Sequence, residues 1–227
     1  MTNTSIFESW LTNAKEWIRV IDNGTILSRV YTNPAIVNQV KKHSFTKILD
    51  VGCGEGWLTR ALSDQATEVV GIDAIDTLIE NARQKGPQYF YKLTYEEIIS
   101  GAAIPKSPHD GIVFNFSLYQ KEEVQDLLNA LKRILTPNGK IIIQTLHPYF
   151  LKHQEATYSS QWIEDSWKGL PGTFKDPHAW YARTLEDWIE VFNNCSLSIE
   201  DITEVTNDQD TLLSIIFTLH YVKNTTI

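Results

Sequence analysis

The chain has 227 residues, 42% of them hydrophobic, which suits one α/β domain with a sizeable core. Its 20 basic against 28 acidic side chains leave a formal net charge of −8, the wrong sign for a general nucleic-acid binder, which disfavours a nucleic-acid partner while leaving a local RNA-binding patch open. Cys53 sits in a glycine turn far from Cys195, which argues against a disulfide framework, and two such cysteines alone make no metal site. With no basic-then-apolar leader and no apolar run of about 18 residues, a cytoplasmic protein without a membrane segment is expected.

Residues 5–22 read as an amphipathic helix, because Ile6, Trp10, Ala14, Trp17, Ile18 and Ile21 recur at three- and four-residue steps until Asn23-Gly24. Thr32-Asn33-Pro34 predicts a second helix start, with Asn33 as cap and Pro34 at the first helical position, running to His43. Lys47 to Val51 is an apolar run ending beside an acid, Asp50, and Gly52-Cys53-Gly54-Glu55-Gly56 follows. The run predicts a buried parallel strand, and the glycines a tight turn where main chain can approach a ligand. Leu58, Ala61 and Leu62 then take helical spacing, and Val69-Val70-Gly71-Ile72 is a second strand closed by Asp73. Strand, glycine turn, helix, strand and acid make a nucleotide-binding βαβ unit. The order G-x-G-x-G with Trp57 next is not the dinucleotide spacing, while a carboxylate at 73 can accept two ribose hydroxyls. An adenosine-like ligand without a diphosphate follows.

Further on, a helix is expected from Ile75 to Lys85, a short strand at Tyr89-Phe90-Tyr91, and an acidic first helical turn at Glu96-Glu97. His109 to Asn115 reads as a strand, with Phe116 to Gln120 as the loop at its carboxyl end. Glu122 to Leu135 is a helix with Val124, Leu127, Leu128, Leu131 and Leu135 on one face, ended by the turn Thr136-Pro137-Asn138-Gly139. Lys140 to Leu146 is the next strand, and His147 leaves it toward the cleft, where an imidazole suits general-base work. Residues 151–183 are irregular and aromatic, with Tyr158, Trp162, Trp167, Phe174, Trp180 and Tyr181 among glycines and prolines. A helix capped by Thr184 and two strands, Leu197 to Val205 and Leu212 to Val222, close the chain.

Asp50-x-Gly52-Cys53-Gly54-x-Gly56 resembles motif I of the class I S-adenosylmethionine-dependent methyltransferases, and Leu135-Thr136-Pro137-Asn138-Gly139-Lys140 resembles a second signature of that family. The resemblance covers roughly residues 34 to 222. An aromatic pair and Arg183 before an amphipathic helix are similar to small-molecule methyltransferases of the ubiquinone-pathway kind. The resemblance implies a Rossmann-like α/β fold, with a seven-stranded, mostly parallel sheet whose last strand is antiparallel and helices on both faces. It implies a single domain over 1–227, with cap helices in 1–43 and an aromatic lid in 151–183, and Trp10, Trp17 and Tyr31 as candidates for the cover. The implied cofactor is S-adenosylmethionine, with S-adenosylhomocysteine as product. Asp50, Gly52, Cys53, Gly54, Gly56, Asp73, Ala74, Thr94, Tyr95, Asn115, Phe116 and Ser117 are its expected contacts, although Thr94 and Tyr95 depart from the acid usual in the adenine loop. Tyr119, Tyr149, Trp180, Tyr181 and Arg183 are the expected substrate contacts, and His147 the expected base. A small-molecule acceptor is the expectation; an RNA or protein acceptor, or a catalytically silent cofactor-binding subunit, is the alternative, and the oligomeric state stays open.

Overall fold

The computed structural model describes residues 3–65, 67–153 and 157–222. Two helices, α1 (Asn3–Asp22) and α2 (Arg29–Lys41), precede a regular alternation. It runs β1 (Lys47–Val51), α3 (Trp57–Leu62), β2 (Glu68–Asp73), α4 (Asp76–Lys85), β3 (Tyr89–Lys92), α5 (Tyr95–Ile99), β4 (His109–Asn115), α6 (Glu123–Leu131) and β5 (Leu135–Leu146). A small hairpin, β6 (Gln161–Ile163) and β7 (Trp180–Ala182), interrupts it before α7 (Leu185–Asn194), β8 (Leu197–Thr206) and β9 (Leu212–Tyr221).

The seven strands of the main sheet lie in the order β3-β2-β1-β4-β5-β9-β8. All neighbouring pairs from β3 to β5 are parallel, and β9 runs antiparallel between β5 and β8. Strand side chains alternate between two covered faces. Leu49, Val51, Ile112, Phe114, Ile143 and Phe217 pack with Ile98, Val124, Leu127, Trp188 and Phe192 of α5, α6 and α7. Ile48, Val69, Val113, Ile142 and Ile216 pack with Ile36 and Val40 of α2 and Leu58 and Leu62 of α3. Covering both faces is what makes these strands read as unbroken apolar runs, and each large side chain so buried contributes roughly 1.5–3 kcal/mol.

Three boundaries differ from the sequence reading. Helix α2 begins at Arg29, with Pro34 inside it. Its entry is wound by short-range bonds, Arg29 N–H to Ile26 O, Val30 N–H to Leu27 O and Tyr31 N–H to Ser28 O, so one turn forms ahead of the proline. Helix α6 ends at Leu131 and passes through a 3₁₀ turn, Lys132–Ile134. Strand β5 already starts at Leu135, paired with His109, and resumes at Lys140 beside Gly111. The Thr136–Gly139 turn is therefore a bulge within the strand, closed by Leu135 folding over Gly139, where a Cβ would lie 2.6 Å from its side chain.

Between β6 and β7 the chain crosses onto α1. The Asn13 side chain donates to Lys175 O (2.6 Å) and accepts from Lys175 N–H (2.8 Å). The Trp167 indole donates to Ser9 Oγ at 3.0 Å, and Thr173 N–H donates to Glu16. These bonds hold aromatic side chains of residues 163–178 over the carboxyl ends of β1, β2 and β4. Strand order reverses between β1 and β4, where open α/β sheets bind ligands.

Candidate active site

The turn after β1 is the centre of the site. Gly52 N–H and Cys53 N–H both donate to Ile72 O, at 2.9 and 3.0 Å, and Gly56 N–H donates to Cys53 O at 3.0 Å. All three glycines take positive φ, +75°, +56° and +81°. Their missing side chains face different things. A Cβ at Gly52 would fall 2.5 Å from Ser117 Cβ, and one at Gly56 would fall 2.5 Å from the Phe90 ring. A Cβ at Gly54 would meet nothing nearer than the Trp17 indole nitrogen at 3.8 Å. So Gly52 and Gly56 are closed tightly by protein neighbours, while at Gly54 a side chain would be in ordinary contact with Trp17. The Cys53 thiol turns into a small core with Ile79, Ala82 and Phe90, and burial pushes its pKa well up. Cys53 thus brings its main chain to the turn, not its sulfur.

Three carboxyl groups surround the turn. Asp73 ends β2 and accepts from Gly54 N–H and Ile75 N–H, each at 2.9 Å. Burial raises its pKa to about 6 against the pull of those amides and of Ala74. Asp50 is 1% exposed and accepts from Thr59 Oγ1 at 2.7 Å; burial lifts it to about 7. Glu55 accepts from Trp57 N–H at 3.2 Å; burial pushes its pKa up, and the charges of Arg29 and Arg60 partly oppose that. Arg29 lies over Trp57 and Trp17, 4.9 and 5.9 Å from the ring centres. Glu55 and Arg29 were not singled out in the sequence, where an acid inside a glycine run and a basic residue before a helix look like solvated surface. Among the described residues no group of three or more His, Cys, Asp or Glu side chains is arranged to hold a metal ion.

The neighbouring loops close on the turn. Thr94 caps α5 in a reciprocal pair with Glu97, so its hydroxyl is engaged there. The Tyr95 hydroxyl donates to Ser117 O (3.0 Å), and the Ser117 hydroxyl donates to Val51 O (2.8 Å). Phe116 holds φ +52° and donates its N–H to Gln144 O at 2.9 Å, which turns the loop after β4 back over Gly52. Asn115 Oδ1 is buried without a hydrogen-bond partner among the described residues.

Above Gly54 stands a cluster of rings. Trp10 meets Trp17 at 5.3 Å, Trp167 at 4.7 Å and Tyr119 at 6.1 Å between ring centres. Phe174 stacks on Trp167 at 4.6 Å, and His178 stands edge-on to Tyr119 at 5.5 Å. Trp10 and Trp17 lie where the sequence reading put a cover. Tyr31 does not: its hydroxyl donates to Asp208 at 2.7 Å.

The remaining expected residues gather elsewhere, around β6 and β7. His147 Nδ1 accepts from Tyr149 N–H at 3.1 Å, which leaves the hydrogen on Nε2, facing Glu204 at 2.9 Å. Both ring nitrogens of the expected base are thus engaged, one by a backbone N–H and the other by Glu204. Tyr149 lies exposed on the same loop, Trp180 packs on Phe150 and Tyr181 on Trp162. Arg183 is 4% exposed, donates to Gln120 O at 2.9 Å and to Lys121 O, and lies 5.0 Å from the Tyr181 and Trp188 ring centres. Its two terminal nitrogens tie the loop after β4 to the start of α7, while its buried Nε has no hydrogen-bond partner among the described residues and lies 3.6 Å from Asp187 Oδ1. Of the expected substrate contacts, the structure brings Tyr119 alone to the ring cluster. His178 was missed, because a lone histidine in an aperiodic stretch carries no spacing signal.

Sheet order, glycine turn and the acid closing β2 together define a class I S-adenosylmethionine-dependent methyltransferase, for which S-adenosylmethionine is the methyl donor. Residues 22–197 match the model of a methyltransferase domain family, and the chain belongs to that family. It is similar to an uncharacterised protein of Haemophilus influenzae, 26% identical over 80% of this chain and 79% of that one. It is also similar to a ubiquinone biosynthesis O-methyltransferase of Xylella fastidiosa, 26% identical over 58% of this chain and 55% of the enzyme. The chain spans about half the length of several of the named methyltransferases it matches. In fold it resembles the Burkholderia thailandensis 1,6-didemethyltoxoflavin-N1-methyltransferase, solved with 1,6-didemethyltoxoflavin and S-adenosylhomocysteine. That likeness has a TM-score of 0.68 at 15% identity, over 97% of this chain and 89% of the other. No helix among the described residues is long and apolar enough to cross a membrane.

Proposed function

We propose that this chain methylates a small molecule, with S-adenosylmethionine held across the turn after β1 and the acceptor held among the rings above it. The observation that carries the reading is Gly54: a left-handed glycine covered by Trp17 at ordinary contact distance, whose amide is fixed by the carboxylate closing β2. The donor fits these residues. Asp73 keeps lone pairs beyond the two amides for ribose hydroxyls, and the buried, unpartnered Asn115 Oδ1 suits a donor group on the ligand. Tyr95, Phe116, Ser117 and the Ala74 main chain would line the same cleft, with Asp50 behind the turn acting through Thr59 or water. Bound there, the sulfonium supplies an already activated methyl group. The protein's own work is then to orient the two partners and exclude water, and an aromatic cover made of α1 and residues from 151–183 suits that work. The small-molecule relatives and the net charge of −8 support a small acceptor over RNA.

Calorimetry with S-adenosylhomocysteine, S-adenosylmethionine and NAD tests the reading; binding of NAD alone sinks it. Asp73→Asn keeps the acceptor oxygen for one amide and removes the charge. It is expected to weaken S-adenosylhomocysteine by about 1.5–3 kcal/mol, roughly 10- to 150-fold. Unchanged affinity in a folded variant would place the ribose elsewhere.

A further inference from the structure

The ring cluster over Gly54 contains one imidazole, and the fold leaves half of it unused. His178 is 1% exposed. Its Nδ1 lies 2.9 Å from Ser166 Oγ, and Ser166 N–H donates to His178 O at 3.0 Å, so the residue is fixed by side chain and main chain. Its Nε2 is buried and has no hydrogen-bond partner among the described residues. Buried polar atoms in native folds are nearly always paired; several are unpaired among the described residues, and of these His178 Nε2 lies in the ring cluster. The ring lies 5.5 Å from Tyr119, 5.6 Å from Trp167 and 6.5 Å from Trp10. Two members of this cluster border the cofactor turn. A Cβ placed on Gly54 would lie 3.8 Å from Trp17 Nε1, and the charge of Asp73 acts on the Tyr119 hydroxyl.

We propose that His178 Nε2 takes the hydrogen bond of the acceptor's nucleophilic hydroxyl, and that the acceptor is a planar, uncharged hydroxy compound seated against these rings. This rests on the methyltransferase reading above. In the tautomer whose Nδ1–H donates to Ser166 Oγ, Nε2 presents its lone pair, and burial, which lowers the His178 pKa to about 4, keeps that lone pair free at neutral pH. At transfer the hydroxyl oxygen forms the new bond to the methyl carbon. The carbon–sulfur electron pair stays on sulfur, and the hydroxyl proton passes to Nε2, so the positive charge moves from sulfur to imidazolium. The flat faces come from Trp10, Trp17, Trp167 and Tyr119. Asp73 near Tyr119 disfavours an anionic acceptor, and Arg29, stacked on Trp17, is already matched by Glu55.

The test uses protein saturated with S-adenosylhomocysteine, and two probes of similar shape: phenol, and toluene, which lacks the hydroxyl. S-adenosylhomocysteine binding is measured first by calorimetry; its failure overturns the methyltransferase reading and this proposal with it. Phenol is then expected to bind about tenfold tighter than toluene and to move the ¹⁵N resonance of His178 Nε2. His178→Phe, which keeps a ring in the cluster, is expected to abolish the preference while S-adenosylhomocysteine affinity is unchanged. His178→Gln, which keeps a hydrogen-bonding end, is expected to restore part of it. Equal binding of the two probes, a phenol-induced shift that bypasses His178, no phenol binding at all, or a preference that survives in His178→Phe each overturns the proposal.

Discussion

Gly54→Ala and Gly56→Ala look alike in sequence, and the structure predicts opposite outcomes. At position 54 alanine must hold φ +56°, but its Cβ meets only Trp17 Nε1 at 3.8 Å, an ordinary contact. The left-handed conformation costs about 1–2 kcal/mol for a residue with a Cβ. Gly54→Ala should therefore fold, with an unfolding midpoint modestly lowered, and lose most of its affinity for S-adenosylhomocysteine because the methyl would stand between the turn and Trp17, where the cofactor is proposed to lie. At position 56 alanine must hold φ +81° and place its Cβ 2.5 and 2.6 Å from two Phe90 ring carbons and 3.0 Å from Ala82 Cβ. Overpacking of that kind costs about 1–3 kcal/mol more. The total of roughly 2–5 kcal/mol approaches the stability of a typical domain. Phe90→Leu in the Gly56→Ala background should recover part of it. Urea unfolding and calorimetry with S-adenosylhomocysteine read both quantities. If Gly56→Ala is as stable as the parent yet loses the ligand, the third glycine faces the cofactor and this assignment fails.

Three further outcomes follow from the site. Asp50 rises from its ordinary 3.8 to about 7, so between those values the native state keeps a proton that the unfolded chain releases. Stability should fall as pH rises through that window, by at most about 4 kcal/mol. Asp50→Asn should flatten the slope of urea midpoints between pH 5 and pH 8, and an unchanged slope would mean the carboxyl is not desolvated. Arg183→Leu removes the donors to Gln120 O and Lys121 O and should cost about 2–4 kcal/mol. Lysine, which lacks the fork, should not rescue it; a loss of acceptor binding at full stability would return Arg183 to the substrate. His147→Ala should lower stability by about 1–3 kcal/mol with S-adenosylhomocysteine affinity intact, since both its nitrogens hold the fold. A variant as stable as the parent argues against that role.

Sequence by itself determined the apolar runs that become strands and the glycine turn after β1; the seven-stranded order was implied by resemblance to a family. Unbroken apolar runs, the glycines at every second position and the acid at the end of β2 are each written in a few consecutive residues, so they show in the chain. What the residues of that motif face was decided only by tertiary structure. Gly56 admits Phe90 and Cys53 faces the core, because β3 and α4 pack there, and no local spacing records that contact. The acceptor side was decided the same way. His147 and Arg183 had suggestive positions after a strand and before a helix, yet Glu204 and the carbonyls of residues 120–121, distant in sequence, engage them. Trp10 and His178, 168 positions apart, meet because Asn13 and Ser9 of α1 hold the segment between β6 and β7 in place. Contacts of that range depend on how the whole chain closes, which is why a periodic strand announced itself and a single buried imidazole did not.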